Sequence, residues 1–211
     1  MPGYLRVSLQ GSMPGGEVWS VNPIWRLSAE ALPTYEELIT LATAINSITV
    51  PAGMLAMLNS NTQVTGVRLE ARSNTGALEA IYEADRPVPQ TGSGASVHPF
   101  QTSVVLSLRT TSPGASGRGR LYWPATGVAL TPSTMRVPNA ALVAFRDAFS
   151  TYLGDLTTAI ELTSPVAILA VWSRTLGTYS MVNRLSAGDV LDVQRRRRDT
   201  LAEAVVTGTY P

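Results

Sequence analysis

Between Pro33 and Pro51, Tyr35, Leu38, Ala42 and Ile45 recur at steps of three and four residues, the interval that gathers apolar side chains on one face of a helix. Thr34 stands three residues before Glu37. That is the capping-box spacing, in which each side chain accepts a hydrogen bond from the other residue's exposed backbone N–H, so a helix is predicted here. Pro51 limits its extension. A second helical pattern runs from about Asn139 to Ile160. Leu142, Phe145, Phe149, Tyr152, Leu153, Leu156 and Ile160 form one broad face, and Gly154 weakens the last turns.

Elsewhere the period shortens towards two, in TQVTGVRLEAR, GALEAIYEA, QTSVVLSLRT, GRGRLYWP, PVAILAVWSR and GTYSMVNRL. Most of these runs are flanked by Gly, Pro, Asn or Ser, and they predict strands. QTGSGASVHP and TTSPGASG have loop composition, but the apolar patterning resumes on either side, so they join elements within one domain. The chain of 211 residues suits one core. Many strands with only two inserted helices argue against a βαβ alternation. The expectation is an all-β fold over residues 1–211, an antiparallel β-sandwich of the single jelly-roll type.

Composition adds a second expectation. Hydrophobic residues make up 45% and charged residues 15%, too apolar for a disordered chain and lightly charged for a free monomer, so copies of the chain are expected to cover much of its surface. Cysteine is absent, which excludes disulfides, thiolate metal sites and cysteine nucleophiles. The segment MPGYLRVSLQG lacks a basic start and a long apolar run, and no stretch offers about 18 uninterrupted apolar residues; neither a standard secretion signal nor a membrane span is expected. All 16 basic residues are arginine. Each is a planar, permanently charged fork matched to carboxylate or phosphate.

Catalytic chemistry finds little to work with. The single histidine, His98, precedes Pro99 and cannot form a histidine metal cluster; a serine triad would depend on it alone, and no GxSxG turn accompanies it. A standard P-loop needs a lysine, and there is none. Glu36, Glu37, Glu79, Glu83, Asp85, Glu161, Asp189 and Asp192 could in principle pair as acid and base, but Glu36 and Glu37 are explained by the helix start and Asp189 and Asp192 by the arginines that follow. No catalytic residue, metal or cofactor is therefore assigned. Trp19, Trp25, Trp123 and Trp172 are read as core or subunit-contact residues.

Two compact basic features remain. In GRGR, Arg118 and Arg120 fall on one side of an extended chain, and Gly117 and Gly119 allow close approach. In DVQRRRRDTLAEA, Arg195, Arg196, Arg197 and Arg198 divide between two faces if the chain is extended and spread around the axis if it is helical. Asp192, Asp199 and Glu203 could neutralise part of the run. These six arginines are the candidate site, for contacts either between subunits or with nucleic acid.

The block HPFQTSVVLSLRTTSPGASGRGRLYWPATG, together with VWSRTLGT and GDVLDVQRRRRDTLAE, resembles the short coat proteins of small, mostly metagenomic viruses. The resemblance covers chiefly the second half of the chain. It implies a jelly-roll capsid subunit that assembles in many copies into a small icosahedral shell, located in the virion, with no membrane contact. One departure stands out: from Met1 to Trp25 the only basic residue is Arg6, so packaging by a basic N-terminal arm is not expected, and if a shell holds nucleic acid the expected contacts are sequence-independent ones from arginines of the folded surface. Two rivals are a non-catalytic binding module for carbohydrate or host attachment, with exposed aromatics as its platform, and a hydrolase using paired carboxylates.

Overall fold

The computed structural model describes residues 3–27, 32–95, 102–112, 115–129, 138–163, 166–167, 170–175, 178–182, 192–198 and 203–206, those at 102–122 and beyond 163 as backbone and register. Among the described residues the fold is mostly β, with antiparallel strand pairs and three helices.

The first sheet grows around β1 (Tyr4–Ser12), in which Leu5, Val7 and Leu9 are buried at alternate positions. β4 (Gln63–Arg72) runs along one edge of β1 and places Val67, Leu69 and Ala71 opposite Leu9, Val7 and Leu5. The other edge is shared by two short strands: β2 (Val18–Val21) pairs with Leu9–Ser12, and β3 (Ile24–Leu27) with Tyr4–Arg6. Between them Val7 N donates to Pro23 O at 3.0 Å, which carries the ladder across the gap. The turn from β1 to β2 needs Gly16 at φ 84°, a conformation open to glycine at little cost. β5 (Leu78–Thr91) pairs with β4, and β8 (Val166–Ala167) closes the far side beyond β3.

The inner face of this sheet is covered by helices. α1 (Tyr35–Ser47) begins with the expected capping box: Thr34 N donates to Glu37 Oε2 at 2.7 Å, and Glu37 N to Thr34 Oγ1 at 3.3 Å. Leu38, Leu41, Ala42 and Ile45 are buried. A short α2 (Ala52–Leu55) packs on α3 (Asn139–Thr163). A Cβ at Gly53 would lie 2.8 Å from Ala144 O, so only glycine permits that approach. Phe145, Phe149, Tyr152, Leu156 and Ile160 of α3 are all buried, and Trp25 Nε1 donates to Thr157 Oγ1 at 3.3 Å.

The second sheet is built on the hairpin of β6 (Thr102–Ser112) and β7 (Ala115–Pro124). The opposite edge of β6 is again divided, between β11 (Asp192–Arg198), which pairs with residues 102–107, and β9 (Ala170–Thr175), which pairs with residues 109–111. β10 (Thr178–Val182) and β12 (Glu203–Val206) extend the flanks. Trp123 of β7 joins this sheet to the common core: its ring centroid lies 4.8 Å from Trp19 and 5.4 Å from Phe145.

Several expectations are met and others revised. Both long helices form, and α3 continues through Gly154 to Thr163 because its apolar face stays buried to Ile160. Among the described residues, α1 and α3 contribute much of the core packed against the first sheet, and Trp123 of the second sheet joins it there. PVAILAVWSR, read as one strand, divides into β8 and β9 on different sheets. Of TTSPGASG, read as a loop, residues 110–112 belong to β6 and 115–117 to β7. Trp19, Trp25 and Trp123 are core residues, as expected.

Candidate functional site

The first sheet carries a charged cluster on its outer face. Alternation in β4 sets Arg68, Glu70 and Arg72 on one side of the strand, and the register puts Arg6 of β1 opposite Glu70 and Glu83 of β5 opposite Arg68. Glu70 is only 6% exposed at its side chain because three guanidiniums enclose it. Arg72 donates through Nη2 at 2.7 Å and Nε at 2.9 Å, Arg68 through Nε at 3.0 Å, and Arg6 through Nη1 at 3.5 Å. Arg68 Nη1 also reaches Glu83 Oε1 at 2.7 Å. Burial pushes the Glu70 carboxyl up, but the Arg72 hydrogen bond and the charges of Arg72, Arg6 and Arg68 outweigh it, and the group lies below its ordinary range.

A second cationic group is turned inward. Opposite Thr65, β5 inserts the four residues Arg86–Pro89 between Asp85, which faces Gly66, and Gln90, which faces Val64. The bulge exposes Val88 at 76% and buries Arg86, whose Nη2 donates to Ile48 O, at the C-terminal end of α1, at 2.7 Å. Asn46 of α1 donates to Ala84 O at 3.0 Å and ties the helix to the same strand. Arg86 Nε and Nη1 and the Tyr152 hydroxyl are buried with no hydrogen-bond partner among the described residues. Burial lowers the Arg86 guanidinium from its ordinary value and pushes the Tyr152 hydroxyl far upward.

The arginines singled out from the sequence all lie in the second sheet. In β7, Arg118 stands opposite Arg109 of β6, and Arg120 opposite Ser107. The tetra-arginine run forms most of β11 and is extended, so it divides: Arg196 pairs with Ser103, while Arg195 and Arg197 pair with Val104 and Thr102 on the alternate positions. Arg196 and Arg198 therefore share the sheet face of Arg118 and Arg120, and Arg195 and Arg197 occupy the other.

Among the described residues the candidate acids are spread over several elements. Glu36 and Glu37 lie in the first turn of α1, Glu79, Glu83 and Asp85 on β5, and Glu161 near the end of α3. His98 and Asp189 fall outside the described residues, and Asp192 opens β11. Among the described residues no group of three or more metal-ligating side chains comes together, and no helix is long and apolar enough to cross a membrane. Sequence reasoning passed over Glu70, although the pattern Arg68-x-Glu70-x-Arg72 within a strand places the three residues side by side. Comparisons with protein-family models, curated proteins and solved structures return no match.

Proposed function

We propose that the chain is a viral coat protein, a single-domain capsid subunit whose copies close into a small icosahedral shell in the virion, able to enclose a nucleic-acid genome and performing no chemical turnover. The observation that carries the reading is convergence. The three separated stretches that resemble small-virus coat proteins, His98–Gly127, Val171–Thr178 and Gly188–Glu203, supply β6 and β7, β9, and β11. These strands are neighbours around β6 in one sheet. A low content of charge over the whole chain fits a surface shared among copies, and closed symmetry turns modest repeated contacts into a stable shell.

The jelly roll is the finer form of this proposal. The passage from β7 through α3 to β8 and then β9, from the second sheet to the first and back, is the alternation that such a winding requires. The pairings of β4 with β5, β6 with β7, β9 with β10 and β11 with β12 keep consecutive strands side by side and depart from it. Electron microscopy of the purified protein tests the function. Uniform closed particles are expected, and small soluble species alone, across a range of salt and pH, would overturn the reading.

A further inference from the structure

We propose that one face of the second sheet is a binding surface for single-stranded nucleic acid, and that the strand register decides which arginines of the chain belong to it. The positions that share a face with Arg109 of β6 include Arg118 and Arg120 of β7, Arg174 of β9, and Arg196 and Arg198 of β11. Six arginine positions from four strands thus stand together, against two acids among the described residues of the same face, Asp192 and Glu203, the latter directly opposite Arg198. Arg118 and Arg109 are direct cross-strand neighbours of like charge. Such a pair is unfavourable unless an anion lies between or above it.

The alternate positions have a different character. Val104, Leu106, Leu108, Leu121 and Val193 occupy them beside Arg195 and Arg197, and the series ends at Trp123, which is fully buried in the core with Trp19 and Phe145. By alternation the arginine positions of β6 and β7 lie on the sheet face opposite to that of Trp123. From Ser103 to Arg109 the arginine face extends about 20 Å along the strands, and β7, β6 and β11 give it a width of about 10 Å. A polyanion with regularly spaced phosphates fits an area of that size, and a single carboxylate does not fill it.

Aromatic positions point to single strands in particular. Trp172 stands opposite Arg109, Tyr122 lies two residues beyond Arg120, and Tyr179 stands opposite Arg174, all on the arginine face. Arginines interleaved with aromatic rings contact phosphates and stack unpaired bases without sequence preference. The inference rests on the coat-protein reading only for the identity of the nucleic acid as a genome; the binding itself belongs to the free chain.

The test is fluorescence anisotropy of a labelled oligothymidine with the full chain over a salt series. For six neutralised phosphates the affinity should fall roughly 300-fold over a fourfold rise in salt, a slope of about −0.7 per contact. Replacing Arg196 and Arg198 together with Gln should make the slope shallower by about 1.4, and replacing Arg195 and Arg197 should leave it unchanged. If the first variant fails to fold, Arg118→Gln with Arg120→Gln carries the same expectation. Trp172→Ala should weaken binding about 5- to 100-fold at unchanged slope. No binding by the wild type, equal loss from the two β11 pairs, or an unaltered affinity in Trp172→Ala would overturn the proposal. Shells that form without oligonucleotide binding would remove this inference and leave the coat protein standing; binding without shells would do the reverse.

Discussion

On the first sheet, Arg6, Arg68 and Arg72 converge on a carboxylate they nearly bury, and Glu83 takes a further contact from Arg68. On the second, six arginine positions share a face with two acids. The residue type is the same and the strand geometry is the same. What differs is the balance that alternation and register strike: on the first sheet Glu70 stands among three arginines, whereas on the second Glu203 faces Arg198 alone and Arg118 faces Arg109. Arginines that hold their counter-charge within the fold serve the fold, because their donors are already directed and their field is cancelled nearby. Arginines set opposite one another leave a field that an outside anion can neutralise. The number of basic residues in a stretch is thus a weaker guide to function than the pairing partner of each.

The comparison presumes that both sheets belong to one cooperative unit, and Trp123 is the residue to break. Its fully buried ring meets Trp19 from the first sheet and Phe145 from α3. Trp123→Ala should lower the free energy of unfolding by about 3–5 kcal/mol, from lost transfer energy and the cavity left behind. Urea unfolding followed by far-ultraviolet circular dichroism measures it. A loss below about 1 kcal/mol would mean that the sheets do not share a core.

Glu70 comes next. Glu70→Gln keeps the shape and removes the charge that three guanidiniums surround, and should destabilise the chain by about 2–3 kcal/mol, less than for a fully buried pair because the arginines retain 25–38% exposure. The pH dependence has a definite sign. The folded carboxyl lies below its ordinary value of 4.5, so its contribution is present above that value and is lost as pH falls through the folded value. Wild-type stability should therefore decline below about pH 4.5 more steeply than that of Glu70→Gln, in urea midpoints taken across the acid range. Parallel curves would show that the cluster does not stabilise the fold.

Much of the scaffold was legible in the chain, and the reasons are local. Thr34 and Glu37 mark the start of α1 through contacts three residues apart, and the apolar face of α3 is written at helical spacing. β1 escaped notice although Leu5, Val7 and Leu9 alternate with Arg6 and Ser8. The strand β5 was foreseen only to Ala84; it continues through Pro87 and Pro89 because it is an edge strand with a bulge there, where a missing N–H breaks no ladder. Burial of Glu70 depends on Arg6, 64 residues away, and no local pattern contains that distance. The division of the tetra-arginine run required one further fact, that β11 is extended, after which the register with β6 assigns each arginine to a face.

The smallest expected effect separates the two sheets most sharply. Glu83 is 54% exposed, and its contact with Arg68 is a solvent-facing ion pair, so Glu83→Gln should change stability by less than about 1 kcal/mol. Arg68 would still be held by Glu70 at 3.0 Å, and no cation on the first sheet would be set free. Oligothymidine affinity and its salt slope should therefore match the wild type in the same anisotropy experiment. A steeper slope in Glu83→Gln would place nucleic acid on the first sheet as well and erase the distinction between its arginines and those of the second.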